Sequence, residues 1–246
     1  MRDMLYLLRS LVFYVGYATI IGVLGLVSLV LFPCLNEVKR VKLLEWVDWL
    51  LLGWARVACG IRYDITGREN IPAGPCVVVS NHESAWETYC LGALFQPQST
   101  VLKKELLSIP VFGWILRYLT PIAIDRSKPA ASLRQLLAQG KSRLAEGRWV
   151  VIFPEGTRVR PGKTGKFNKG GVALACLAKV DVLPVAHNAG ECWPAGSVIK
   201  RPGTVRVVIG PVMATEGRNR DELHDEVEVW IRTQSAALRV KDAVVH

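Results

Sequence analysis

Cysteine is scarce in this sequence, and acid is short. Six cysteines (Cys34, Cys59, Cys76, Cys90, Cys176 and Cys192) are spread through 246 residues, none in a CxxC pair and none near a His at metal-ligand spacing. That pattern argues against a disulfide scaffold and a structural zinc site, and for buried, reduced thiols in a cytosol-facing chain. Asp and Glu number 21 against 31 Lys and Arg, a net charge of +10. Such an excess favours anionic partners, whether phosphorylated substrates, acidic lipid or nucleic acid, without choosing among them. No GxSxG elbow occurs, so a serine-nucleophile hydrolase has no support. Internal repeats and low-complexity segments are missing too, and half of the residues are apolar, which excludes disorder and leaves ample volume for a core.

What the N-terminus lacks is charge. Between Ser10 and Asn36 there is none, and the 22 residues from Leu11 to Phe32 are apolar apart from Thr19, Ser28 and three glycines. As a helix they would extend about 33 Å, enough to cross a hydrocarbon core. The run is too long for a cleaved signal peptide and no A-x-A site follows it. Pro33 ends the helix, and Lys39, Arg40 and Lys42 form a basic collar that favours a cytosolic body. A second segment, Val41 to Cys59, places Val41, Leu44, Val47, Leu51, Ala55 and Ala58 at helical spacing and adds Trp46, Trp49 and Trp54. It reads as a helix lying at the membrane surface, the alternative being a helix docked on the body. Residues 1–60 are thus expected to be a membrane-associating two-helix segment, and 61–246 one domain.

After Gly60 short β-rich runs alternate with helical ones, the pattern of an α/β sheet. Strands are predicted over Arg62–Thr66, Cys76–Ser80, Thr100–Lys103, Ile122–Asp125, Val150–Phe153, Val182–Ala186 and Val205–Ile209. Helices are predicted over Ser84–Leu94, Val111–Tyr118, Ala130–Glu146, Gly170–Ala178 and Asp221–Ala237, the third carrying Leu133, Leu136, Leu137, Gly140 and Leu144 on one face.

Two constellations can carry chemistry. Asn81-His82-Glu83-Ser84-Ala85-Trp86-Glu87 follows a predicted strand, so His82 should emerge at the carboxyl end, where open α/β sheets place their sites. Ser84-x-x-Glu87 matches a capping box, which gives Glu87 a purely structural role. The same carboxylate, reaching back toward the helix start, would also fix the tautomer of His82 and stabilise its imidazolium, making His82 a general base without a serine. Phe153-Pro154-Glu155-Gly156-Thr157-Arg158 follows another strand and leads into Arg160, Lys163, Lys166 and Lys169 among glycines, a composition suited to phosphate. It is not a nucleotide P-loop: five residues separate Gly156 from Gly162 where that loop needs four. Lys103-Lys104-Glu105-Leu106 through Ile124-Asp125-Arg126 and the strand Val182-Leu183-Pro184-Val185 would be ordinary if they stood alone.

Together, in this order, the four stretches resemble the glycerolipid acyltransferases of the 1-acylglycerol-3-phosphate acyltransferase type, whose blocks are NHxxxxD, K-x-E-L…P…G…DR, FPEGTR and a Pro-bearing strand. The likeness spans residues 76 to 186, and FPEGTR is complete. It implies a single mixed-sheet αβα domain, with His82 and Glu87 catalytic and Lys104, Arg126, Glu155, Gly156, Thr157 and Arg158 binding substrate. The implied reaction moves a fatty acyl group from acyl-CoA or acyl carrier protein to lysophosphatidic acid, with no metal or organic cofactor. The implied setting is the cytoplasmic face of the inner membrane. Nucleic acid is not expected as a partner, because nucleic-acid binders interleave aromatics with cations, whereas here the Trp residues gather in the presumed membrane helix. The chain departs from the family at one point: Glu87 stands where Asp is usual. Its extra methylene requires the helix to start slightly farther from His82.

Overall fold

The computed structural model describes residues 2–109, 112–125 and 127–240. In chain order they form α1 (Arg2–Leu31), α2 (Glu37–Cys59), β1 (Ile61–Thr66), β2 (Val77–Ser80), α3 (Trp86–Leu94), β3 (Gln98–Lys103), α4 (Phe112–Tyr118), β4 (Ile122–Ile124), α5 (Pro129–Ala145), β5 (Trp149–Ile152), α6 (Gly170–Ala178), β6 (Val182–His187), α7 (Ala189–Cys192), β7 (Gly203–Ile209) and α8 (Arg220–Val240). All the predicted strands are present, their ends moved by a residue or two. The single turn of α7 had no signal in the sequence. Helix α3 starts at Trp86 rather than Ser84, because the Ser84 hydroxyl accepts from the Trp86 N–H, two residues on, at 3.0 Å. The predicted start of α4 at Val111 lies outside the described residues.

One sheet holds the strands in the order β1-β7-β6-β2-β5-β3-β4. Every neighbouring pair is parallel except β6 and β7, which makes the sheet mixed. Side-chain alternation along the central strands builds two cores. Cys76, Val78, Trp149, Val151, Leu183 and Val185 face one cluster with Trp86, Cys90 and Leu91 of α3. Val77, Val79, Val150, Ile152 and Val182 face the other, with Leu136 of α5, Leu174 of α6 and Val227 of α8. The result is three layers, helices on both faces of a sheet whose inner strands are buried on both sides.

The two N-terminal helices belong to the first of these cores: Phe13, Leu52, Ala55, Ala58 and Cys59 share it with Val205, Val207 and Ile209 of β7. Asn36 caps α2 by accepting from the Lys39 N–H at 3.0 Å, and Gly60, with φ +73°, ends it. The Phe13 ring meets Trp193 edge-on at 4.8 Å, and the Trp54 indole N–H donates to the Phe13 carbonyl at 2.9 Å. Lys200, buried to 1% exposure, donates from Nζ to the Tyr14 hydroxyl at 2.6 Å, while its backbone N–H donates to Ser10 Oγ. Farther along, Gly25 of α1 lies against Ile115, and Phe32 meets Tyr118 at 5.0 Å. So α1 touches the body between Ser10 and Tyr17 and again at Gly25, and the turn after it at Phe32. Its other side presents Leu5, Leu8, Leu11, Val15, Val23, Leu26 and Val30 outward. Arg2–Cys34 is long and apolar enough by composition to cross a membrane. Helix α2 is docked through Leu51, Leu52 and Ala55, leaving Trp46 and Val57 exposed.

Candidate active site

Because β2, β5 and β3 run parallel and side by side, the loops after Ser80, Ile152 and Lys103 leave the sheet at one edge. That edge carries a cleft of about 1260 Å³. His82 lines it, as do Lys103, Phe153, Glu155, Gly156, Thr157, Arg158 and Arg160. Leu102, Leu106, Ile124, Leu133 and Leu136 form an apolar flank of the same space.

His82 is held on three sides. Its Nδ1 lies 2.8 Å from Glu87 Oε1; its side chain is 16% exposed and that of Glu87 1%. Its ring stacks on Phe153 with centroids 4.1 Å apart and planes 17° from parallel. Its backbone N–H donates to Glu155 Oε2 at 3.1 Å, and its carbonyl accepts from the Val159 N–H at 2.8 Å. The strand-following FPEGTR turn therefore supports the histidine rather than merely lying near it.

Glu87 Oε1 also accepts the N–H groups of Glu83 at 3.0 Å and Ser84 at 2.8 Å. The capping role and the histidine-orienting role thus coexist on one oxygen. Burial alone would raise this carboxyl, but its polar surroundings, His187, the His82 hydrogen bond and the Ser84 N–H among them, outweigh burial and hold it below its ordinary value. An ionised Glu87 accepts, so His82 Nδ1 carries the proton and donates, and Nε2 keeps the lone pair that can take a proton. Such a pair can perform general-base chemistry.

Glu155 is different. Burial pushes its carboxyl up to about 7, its own N–H and that of His82 pulling the other way. It shapes the loop from below. Gly156, at φ +67°, occupies the left-handed region that favours glycine and closes a turn through its N–H to the Phe153 carbonyl at 3.0 Å. Thr157 and Arg158 follow, exposed and on the wall of the cleft. Lys104 begins the exposed 3₁₀ turn Lys104–Ser108 and does not line the cleft; Lys103, one residue earlier, does. Arg126 lies outside the described residues.

Sequence reasoning missed the residues that anchor this loop from within. Asn81 Nδ2 donates to the His187 carbonyl at 2.9 Å, and Asn81 Oδ1 accepts the His187 N–H at 3.1 Å, joining β2 to β6 past the last ladder pair. Glu83 is buried and pairs with Arg239 of α8. Only the burial of two polar residues beside a histidine, read as a cost to be offset, could have pointed to such partners.

The family model Acyltransferase matches residues 62–188. A 1-acyl-sn-glycerol-3-phosphate acyltransferase of Pseudomonas aeruginosa is 46% identical over 237 residues, spanning 94% of this chain and 91% of its own length. The protein of the same name from Saccharomyces cerevisiae is 26% identical over 230 residues, 91% of this chain and 74% of that one. The crystal structure of the 1-acyl-sn-glycerophosphate (LPA) acyltransferase PlsC from Thermotoga maritima is similar with a TM-score of 0.80 at 28% identity, covering 97% of this chain and 98% of that one.

Proposed function

The chain belongs to the acyltransferase family, and from that premise we propose that it transfers a fatty acyl group from a thioester to the sn-2 hydroxyl of lysophosphatidic acid, giving phosphatidic acid. The observation that carries the chemistry is the His82–Glu87 pair at 2.8 Å, opening on a cleft that has cations at one wall and an apolar flank at another. His82 Nε2 takes the proton of the acceptor hydroxyl as its oxygen attacks the thioester carbonyl carbon. The C–O bond forms, the tetrahedral oxyanion collapses, and the C–S bond breaks. The departing thiolate recovers the proton from Nε2, and Glu87 stabilises the imidazolium between the two transfers. So written, the transfer balances without a metal or a cofactor.

Arg158 grips the acceptor phosphate, its planar fork matching two phosphate oxygens, with Lys103 and Arg160 on the same wall. Arg158→Ala is expected to raise KM for lysophosphatidate about tenfold or more while kcat changes little, measured by steady-state kinetics. An unchanged KM would remove Arg158 from the phosphate site.

Membrane association follows from the outward apolar side of α1. With α1 held to the body at Phe13 and Tyr17 and again around Gly25 and Phe32, it lies within one leaflet, and α2 adds Trp46 at the interface. Lys39, Arg40 and Lys42 favour the cytoplasmic face.

A transfer assay on purified membranes tests the whole reading, offering lysophosphatidate, lysophosphatidylcholine and lyso-ornithine lipid with both acyl-CoA and acyl carrier protein. Phosphatidate is the expected product, and the preferred donor names the thioester. Faster acylation of a phosphate-free lysolipid would overturn the acceptor assignment.

A further inference from the structure

The two residues that flank His82 are both buried, and both are held by the last helix. Asn81 Nδ2 donates to Ser235 Oγ at 3.3 Å, across 154 residues of sequence. Glu83 Oε1 accepts from Arg239 Nη2, across 156 residues, and Arg239 Nη2 also donates to Ser235 Oγ at 3.3 Å. Ser235 and Arg239 stand one helical turn apart, on the same side of α8. Other contacts of the two flanking residues include Glu83 Oε2 accepting the Gly190 N–H at 3.3 Å, the Glu83 carbonyl accepting the Ala195 N–H at 3.3 Å, and the Asn81 amide bonding the His187 backbone. Ser235, Arg239 and Gly190 all lie beyond residues 62–188, the part of the chain that the family model matches.

We propose that Ser235 and Arg239 are positioning residues for the acyl transfer, bracing Asn81 and Glu83 so that the His82 imidazole meets the acceptor hydroxyl at the correct height and angle. Arg239 touches no substrate in this scheme and acts through Glu83. The physical reason is the cost of a buried carboxylate short of counter-charge. Burial pushes the Glu83 carboxyl above its ordinary value and Glu87 adds to this, while His187 and Arg239 oppose it, Arg239 as the guanidinium paired with it. Loss of that ion-pair partner favours uptake of a proton or a turn toward water. Either response moves the backbone N–H that Glu83 lends to Glu87 Oε1, and with it the oxygen that aims His82. A displacement of about 1 Å at a reacting group can cost roughly 100-fold in rate.

The inference rests on His82 being the base, so the experiment includes a control for that reading. In the full chain, Arg239→Met is expected to lower kcat about 10- to 100-fold with both KM values unchanged. Arg239→Lys should recover most of the loss. Glu83→Gln combined with Arg239→Met should turn over faster than Arg239→Met alone, because a buried amide needs no counter-charge. Wild-type kcat in Arg239→Met, an equal loss in Arg239→Lys, or a double variant no faster than the single one would each overturn the brace. If Arg239→Met does not fold, Ser235→Ala stands in: kcat lowered severalfold at constant KM supports the brace, and an unchanged kcat overturns it. His82→Ala, assayed alongside, separates the two readings. An inactive His82→Ala beside a normal Arg239→Met condemns the brace alone, whereas an active His82→Ala condemns the base.

Discussion

His82→Ala is expected to lose acyl transfer by about 10²–10⁴-fold, the contribution typical of a positioned general base. The variant should still fractionate with membranes, because the outward apolar side of α1 lies on an element that His82 does not touch. It should also fold, since His82 is a partly exposed ring and not a filler of either hydrophobic cluster. The assay is turnover of thioester and lysophosphatidate at saturating levels of both. What survives would be the share due to holding two lipids together at one cleft. A variant within a few-fold of the parent would mean that the hydroxyl proton leaves by another route, and the central role of the imidazole would fall.

Glu87→Gln separates the two duties of one carboxylate. The amide oxygen of Gln can still accept the N–H groups of Glu83 and Ser84, so the start of α3 should hold. What disappears is the negative charge facing His82 Nδ1. Without it the imidazolium loses its counter-charge, and kcat should fall about 10²–10⁴-fold in a protein that remains folded, the scale seen where a histidine-orienting carboxylate is neutralised. Glu87→Asp keeps the charge and should be tolerated far better, though the shorter side chain draws the carboxylate back from a nitrogen now 2.8 Å away. Near-normal turnover in Glu87→Gln would leave helix capping as the residue's whole purpose.

The strands were legible because a short run rich in Val and Ile is a local property: Val77–Ser80, Trp149–Ile152 and Val182–His187 are nearly continuous apolar runs buried on both faces, and Gly203–Ile209 alternates. The position of His82 past a strand end was legible for the same reason. The start of α3 was read two residues early because the capping-box spacing says nothing about which N–H the Ser84 hydroxyl takes; it takes that of Trp86. Adjacent side chains at a helix start diverge, so Glu83, next to His82, turns away from it to Arg239. No local pattern could announce a partner 156 residues away, nor the seating of Phe13 on Trp193, because such contacts depend on how the layers stack. The exchange of Lys104 for Lys103 at the cleft is a matter of one residue at the end of β3, where strand gives way to a 3₁₀ turn and the facing direction changes.

The stack of His82 on Phe153, taken with the tether of Nδ1 to Glu87, has a kinetic corollary. The imidazole cannot swivel, so a single nitrogen must serve as both collector and dispenser of the proton. Because the acceptor oxygen attacks the thioester directly, with no enzyme nucleophile holding the acyl group in between, both reacting atoms must stand beside that one nitrogen together. Steady-state kinetics should therefore show the intersecting lines of a ternary complex, with no product released before both substrates are bound.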